Sequence, residues 1–179
     1  LLIRVSSPGP IFFGQERIGR DGRVFKCLKF RSMRPPKASD ADFELKASSA
    51  PGGVEGVDRR TAVGKLMRRT SLDELPQLLN VAKGEMSVVG PRPTVASQVE
   101  RYTQDQARRL TVRPGLTGLA QVSGRNSLAW ADRIELDLAY VETRSLRRDV
   151  GILVRTVSTV LTGDGAEGHD ADDPMLAES

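Results

Sequence analysis

Among 179 residues there is one histidine, His169, and one cysteine, Cys27. A histidine-based triad or a His-rich zinc site is thereby excluded, and any catalytic acid or base must come mainly from carboxylates. One thiol cannot form an intramolecular disulfide and fits a reducing compartment. Its neighbours Phe25, Leu28 and Phe30 predict a buried core thiol rather than a reactive one. Aromatic residues make up 4% of the chain, too few for a platform on which nucleic-acid bases stack. No apolar run approaches the roughly 20 residues of a membrane span, and no signal peptide opens the sequence. Gly163 to Ser179 contains no Lys or Arg.

That last absence exposes the charge that is present. The segment carries Asp164, Glu167, Asp170, Asp172, Asp173 and Glu178, so removing its six acids from the net +4 leaves residues 1–162 at +10. So basic a body calls for an anionic partner: nucleic acid, a phosphate-bearing substrate or an acidic membrane surface. The scarcity of aromatics favours phosphate groups on lipid and nucleotide. The length is about one domain's worth. Residues 1–162 are expected to form that domain, and residues 163–179 an acidic disordered tail.

Ile11 to Met33 reads as a β-hairpin, with Ile11-Phe12-Phe13 and Val24 to Leu28 flanking an Asp21-Gly22 turn. Arg17, Arg20, Arg23, Lys26, Lys29 and Arg31 decorate it; singly they read as a solvated face, together as a surface for lipid headgroups. Pro35 to Gly56 reads as a mobile loop. Thr61 to Met67 predicts a helix with Val63, Leu66 and Met67 inward, and a second helix carries Leu75, Leu78, Leu79 and Val81 to a stop at Lys83-Gly84. Met86 to Val89 is a short strand or extended segment, and Thr94 to Leu110 a charged scaffold helix. Ser127 is expected to cap a helix through Trp130, Ile134 and Tyr140. Val150, Leu153, Val154, Val157, Val160 and Leu161 recur at helical spacing, a stripe that is usually core, with membrane-interface packing as the alternative. The fold class is α+β: a helix-rich single domain with a small N-terminal hairpin.

The chemistry concentrates between Arg68 and Pro93. Ser71-x-x-Glu74 has capping-box spacing, although Pro76 would strand the carbonyl of Leu72 unless the helix starts at Asp73. Asp73 and Glu74 then lie beside exposed backbone dipoles, a setting that suits anions and metal ions. The bland reading is an acidic first turn and nothing more. Against it stand Arg68, Arg69 and Arg92, more cationic charge than a cap needs. Gly90-Pro91-Arg92-Pro93 also restrains Arg92 between two fixed φ angles, and a held arginine suits bidentate phosphate binding. Carboxylates plus held arginines are the parts of phosphoryl transfer.

The run from Arg68 to Pro93 resembles the signature of the bacterial sugar transferases, monotopic polyprenyl-phosphate hexose-1-phosphate transferases. The similarity extends upstream to Ser7–Phe13 with Gln15–Gly19, and then Lys29–Met33, and downstream to Arg113–Arg125. Four motifs in the family's order are far more specific than one short pattern. The resemblance implies a membrane-associated catalytic fold and transfer of a sugar-1-phosphate from a UDP-sugar to polyprenyl (undecaprenyl) phosphate, with release of UMP. Asp73 would be the nucleophile, Glu74 and Asp73 would hold Mg²⁺, and Arg68 and Arg92 would clamp phosphates. Gln121, Arg125 and Asp137 would contact the nucleotide-sugar. The family also implies the cytoplasmic face of the bacterial inner membrane, a role in exopolysaccharide synthesis, and a membrane-dipping helix just upstream, of which Leu1-Leu2-Ile3 would be the end. The resemblance is compatible with homo-oligomers and implies no nucleic-acid partner.

Two rivals remain open at this point. A non-catalytic basic module docking on acidic membrane or nucleic acid would explain the charge but not the ordered motifs. A glycosyltransferase moving the sugar without its phosphate would release UDP.

Overall fold

Two short ladders set the positions of everything else. In the computed structural model, which describes residues 2–35, 58–124 and 128–162, β1 (Phe12–Ile18) pairs antiparallel with β2 (Val24–Phe30), in register from Phe12↔Phe30 to Ile18↔Val24. The expected hairpin is present, with strands longer than the apolar triplets suggested. Asp21 and Gly22 both take positive φ, +56° and +76°, as a tight hairpin connection demands and as Asp and Gly tolerate best. The second ladder is parallel: β3 (Ser87–Val89) against β4 (Gly115–Thr117).

Where these strands meet, the glycines have a packing reason. A Cβ on Gly115 would lie 2.1 Å from the amide nitrogen of Gly90, and one on Gly118 2.1 Å from its carbonyl oxygen. Backbone therefore rests directly on backbone, and Gly115 N donates to Pro91 O at 2.8 Å. On its other side this segment is bound to the hairpin, Ile18 N donating to Thr94 O at 2.8 Å. Gly90-Pro91-Arg92-Pro93 is thus held from both flanks.

Helix α1 (Leu2–Ser6) precedes the hairpin, and α2 (Ala62–Arg69) follows the undescribed stretch. Thr61 caps α2, its Oγ1 accepting from Gly64 N at 2.9 Å. Gly64 lies so close to Ser32 that a Cβ would come within 1.8 Å of its carbonyl oxygen. After α2 come a 3-10 turn, Leu72–Glu74, and α3 (Gln77–Ala82), with Pro76 at its N-cap. The later elements are α4 (Ala96–Val99), a 3-10 segment Gln106–Thr111, α5 (Leu119–Ser123), α6 (Trp130–Thr143) and α7 (Leu146–Thr162).

Two apolar clusters form the interior. Phe25, Cys27 and Met86, with Val81, lie between hairpin and α3, so Cys27 is the buried core thiol expected. Val89, Val122, Tyr140 and Ile152, with Leu119, join β3 to α5, α6 and α7.

Several expectations need correction. The capping box does not form: Ser71 is left-handed (φ +56°) with no side-chain cap bond, because the chain turns through a 3-10 step before Pro76. The helix over Thr94 to Leu110 is two short pieces, since Thr94 is engaged by the hairpin instead of opening a helix. Leu66, Leu75, Leu78 and Leu79 are exposed, and α3 buries Gln77 and Asn80 in their place. Asn80 substitutes for a strand partner, accepting from Leu28 N at 3.1 Å and donating to Lys26 O at 2.9 Å. On α7 only Ile152 is buried; Val150, Leu153, Val154, Val157 and Leu161 face outward. Ala129, not Ser127, stands at the cap position of α6. Ser127, Arg125, the Pro35–Gly56 loop beyond its first residue and the acidic tail lie outside the described residues. No described helix is long and apolar enough to cross a membrane.

Candidate active site

The 3-10 turn Leu72–Glu74 sets its two carboxylates against the open end of β2. Lys29, next to last in that strand, donates from Nζ to Glu74 Oε1 at 2.7 Å. Arg92 Nη2 reaches the same oxygen at 2.9 Å from the Gly90–Pro93 segment. Residues 45 and 18 positions away thus converge on one carboxylate oxygen, and among the described residues no hydrogen bond reaches Oε2. Burial opposes ionisation of Glu74, but Arg92 and Lys29 outweigh it and hold the carboxyl well below the usual range. In turn the Glu74 carboxylate raises the pKa of Arg92. With 41% of its side chain exposed, Arg92 retains donors for a ligand.

Asp73 has the opposite character. It is 6% exposed, and among the described residues nothing donates a hydrogen bond to its carboxylate. Burial pushes its pKa up, the Glu74 charge adds to this, and Lys29, Arg68 and Arg92 partly oppose it. Two adjacent carboxylates are therefore driven apart. Glu74 is clamped, with ionisation favoured; Asp73 is desolvated and uncommitted. A poorly solvated carboxylate without hydrogen bonds is the more nucleophilic of the two.

Arg68 arrives on the last turn of α2, where Nε donates to Ser32 Oγ at 3.1 Å. Desolvation lowers its pKa, with Asp73 opposing. Arg17, on β1, donates to Pro93 O at 3.4 Å; burial and the nearby Arg92 lower its pKa. The cluster therefore contains two cations, Lys29 and Arg17, that sequence reasoning placed only on a basic hairpin face. The available signal was Lys29's place directly before Phe30-Arg31-Ser32, inside one of the recurring motifs.

Asp137 does not enter this cluster directly. It is 1% exposed on α6 and pairs with Arg109 Nη2, which also donates to the carbonyl of Arg92 at 3.0 Å. Arg109 Nη1 is bonded to the Tyr102 hydroxyl, and its guanidinium carbon lies 5.6 Å from that ring's centroid. Burial raises the Asp137 carboxyl to about 6, against the pull of Arg109. Asp137 thus braces the backbone of Arg92 through Arg109, a residue that was read as plain scaffold. Gln121, on α5, has its amide nitrogen and oxygen both buried without partners, and no contact joins it to Asp73 or Glu74. Arg69 is exposed.

Among the described residues no group of three or more His, Cys, Asp or Glu gathers. Asp73 and Glu74 nonetheless fit a hard divalent ion, because Mg²⁺ commonly takes one or two carboxylates and completes its shell with water and substrate phosphate. The uncommitted Asp73 carboxylate and Glu74 Oε2 are the oxygens available.

A paired-carboxylate site under a lysine–arginine clamp, on a small α+β domain with an N-terminal hairpin, is the class of protein defined here. The chain belongs to the bacterial sugar transferase family, whose profile matches residues 1–163. It is 44% identical over 182 residues to a UDP-galactose-lipid carrier transferase of Erwinia amylovora, covering 93% of this chain and 36% of that protein. It is 42% identical over 172 residues to the exopolysaccharide production protein ExoY of Rhizobium meliloti, covering 92% and 76%. A UDP-glucose:undecaprenyl-phosphate glucose-1-phosphate transferase of Caulobacter vibrioides is 43% identical over 174 residues, covering 93% and 62%. The chain thus spans about a third of the length of the first of these relatives.

Proposed function

We propose that the protein transfers a sugar-1-phosphate from a UDP-sugar to a polyprenyl phosphate at the cytoplasmic face of the membrane, through a phosphosugar intermediate on Asp73. The observation that carries this reading is the division of labour between the two carboxylates: Asp73 buried, with no hydrogen bond from the described residues, and Glu74 clamped by Lys29 and Arg92. Family membership and relatives whose names state transfer to lipid or undecaprenyl-phosphate carriers support it.

An Asp73 carboxylate oxygen forms a bond to the β-phosphorus, and the bond from that phosphorus to the bridging oxygen breaks. Its electron pair leaves with UMP. A polyprenyl phosphate oxygen then attacks the same phosphorus and returns the electrons to Asp73. No proton moves in either step, which suits a chain with one histidine in its acidic tail. Arg92 and Arg68 receive phosphate oxygens, and Lys29 keeps Glu74 in place beneath them. Asp73 and Glu74 would hold Mg²⁺, which neutralises phosphate charge and lowers the repulsion between nucleophile and donor.

The exposed leucines of the neighbouring elements, Leu66, Leu72, Leu75, Leu78 and Leu79, would rest at the bilayer surface and bring the site to a lipid acceptor. The experiment is product analysis with a panel of UDP-sugars and a short polyprenyl phosphate. UMP together with a polyprenyl-diphosphate-sugar is expected; UDP would indicate transfer of the sugar alone and overturn the reading.

A further inference from the structure

The hairpin's far end forms a second basic site. Arg20, from the turn of the hairpin, lines a cavity of about 450 Å³ together with Arg113 and Arg144, and its walls include Ser87, Tyr140 and Asp149. None of the residues of the Asp73 cluster lines it. Lys29, which touches Glu74, is five residues along β2 from Val24 at the turn, about 17 Å at the ordinary rise of a strand. The two sites are therefore at opposite ends of one ribbon.

The charge balance of this cavity is unequal. Its one lining carboxylate, Asp149, is already engaged as acceptor for the Tyr140 hydroxyl at 2.8 Å. Arg20 shares its guanidinium with Asp21 at 3.1 Å. Among the described residues neither Arg113 nor Arg144 forms an ion pair. Three arginines thus line the cavity, against a lining carboxylate, Asp149, that is already hydrogen-bonded and the Asp21 carboxylate paired with Arg20. Planar guanidinium forks suit phosphate oxygens, which can accept from several at once. The volume falls within the range of small-molecule sites and exceeds what a bare phosphate ion fills.

We propose that this cavity is a second anion site, separate from the Asp73 cluster, which binds a phosphate ester through Arg20, Arg113 and Arg144. The ester group occupies the remaining volume beside Tyr140. The same chemistry is offered by a free phosphorylated small molecule and by an anionic lipid headgroup.

The probes are glycerol 3-phosphate, inorganic phosphate, and phosphatidylglycerol–phosphatidylcholine vesicles. All are measured on the whole chain and on Asp73→Asn, so that binding is read independently of transfer. Saturable stabilisation by glycerol 3-phosphate, equal in wild type and Asp73→Asn and weakened at least tenfold in Arg113→Ala/Arg144→Ala, would assign a free phosphate ester. Loss of vesicle binding in that pair, with no thermal shift from either soluble phosphate, would assign a lipid headgroup. The control is Arg4→Ala/Arg101→Ala, which removes the same charge from exposed positions that do not line the cavity. Arg113→Gln/Arg144→Gln repeats the test should the alanine pair fail to fold. Binding to neither source, or losses equalled by the control pair, would overturn the proposal.

Discussion

Lys29 and Glu74 meet at 2.7 Å although 45 residues separate them. The contact fastens the carboxylate-bearing turn to the end of the hairpin. Lys29→Met should leave Glu74 with Arg92 alone and loosen the turn. Loss of one such charged contact in this partly buried pair should cost about 1–3 kcal/mol of stability, and transfer should slow by about 10²–10³. Urea titration and steady-state rates check both. Unchanged rates would mean that the clamp is dispensable.

The opposite electrostatics of the two carboxylates predict opposite pH behaviour. Glu74 has a depressed pKa, so its stabilisation is full above the unfolded value of about 4.3 and is lost as pH falls toward its folded value. Asp73 has a raised pKa, so the folded state favours its protonated form, and it weakens the fold as pH rises out of the carboxylate range. Asp73→Asn should therefore melt at a higher temperature than wild type at pH 7, with the difference shrinking in acid, while Glu74→Gln should melt lower. Melting curves from pH 3 to 7 give the comparison. A less stable Asp73→Asn at neutral pH would refute it.

Arg109 joins Asp137 to the carbonyl of Arg92. Arg109→Lys keeps the charge but not the fork that spans both acceptors. Its kcat should fall about tenfold, roughly 1.4 kcal/mol of barrier, while Asp137→Glu should retain more activity than Asp137→Ala. If Arg109→Lys changed stability and left kcat untouched, Arg109 would be part of the core only.

Asn80 docks α3 on β2 through Leu28 N and Lys26 O. Asn80→Leu would leave that buried amide and carbonyl unpaired and should destabilise by about 1–3 kcal/mol. The position also shows where sequence reading stops. Pattern located the hairpin, with its Asp21-Gly22 turn, and a helix over Thr61 to Met67 that the structure places at Ala62–Arg69. It could not show that α3 would bury Gln77 and Asn80 and turn Leu75, Leu78 and Leu79 outward, because hydrophobic spacing alone does not say which face packs against the rest of the chain. On α7 the spacing left core and membrane interface both open, and the stripe lies outward.

The site was legible in part for a related reason. Asp73, Glu74, Arg68 and Arg92 lie within 25 residues of one another, in a motif whose spacing can be read directly. Lys29, Arg17 and Arg109 join through strand register and a broken helix, which no local pattern encodes. Gly115 and Gly118 let β4 lie against Gly90, a long-range backbone contact that no local pattern encodes either.

The most direct test is to incubate the protein with a UDP-sugar labelled at the β-phosphorus, quench before acceptor is added, and map the labelled peptide. The account predicts one labelled residue, Asp73, with stoichiometric UMP release and no label in Asp73→Asn. Label on another residue, or sugar-phosphate transfer without any labelled protein, would contradict it.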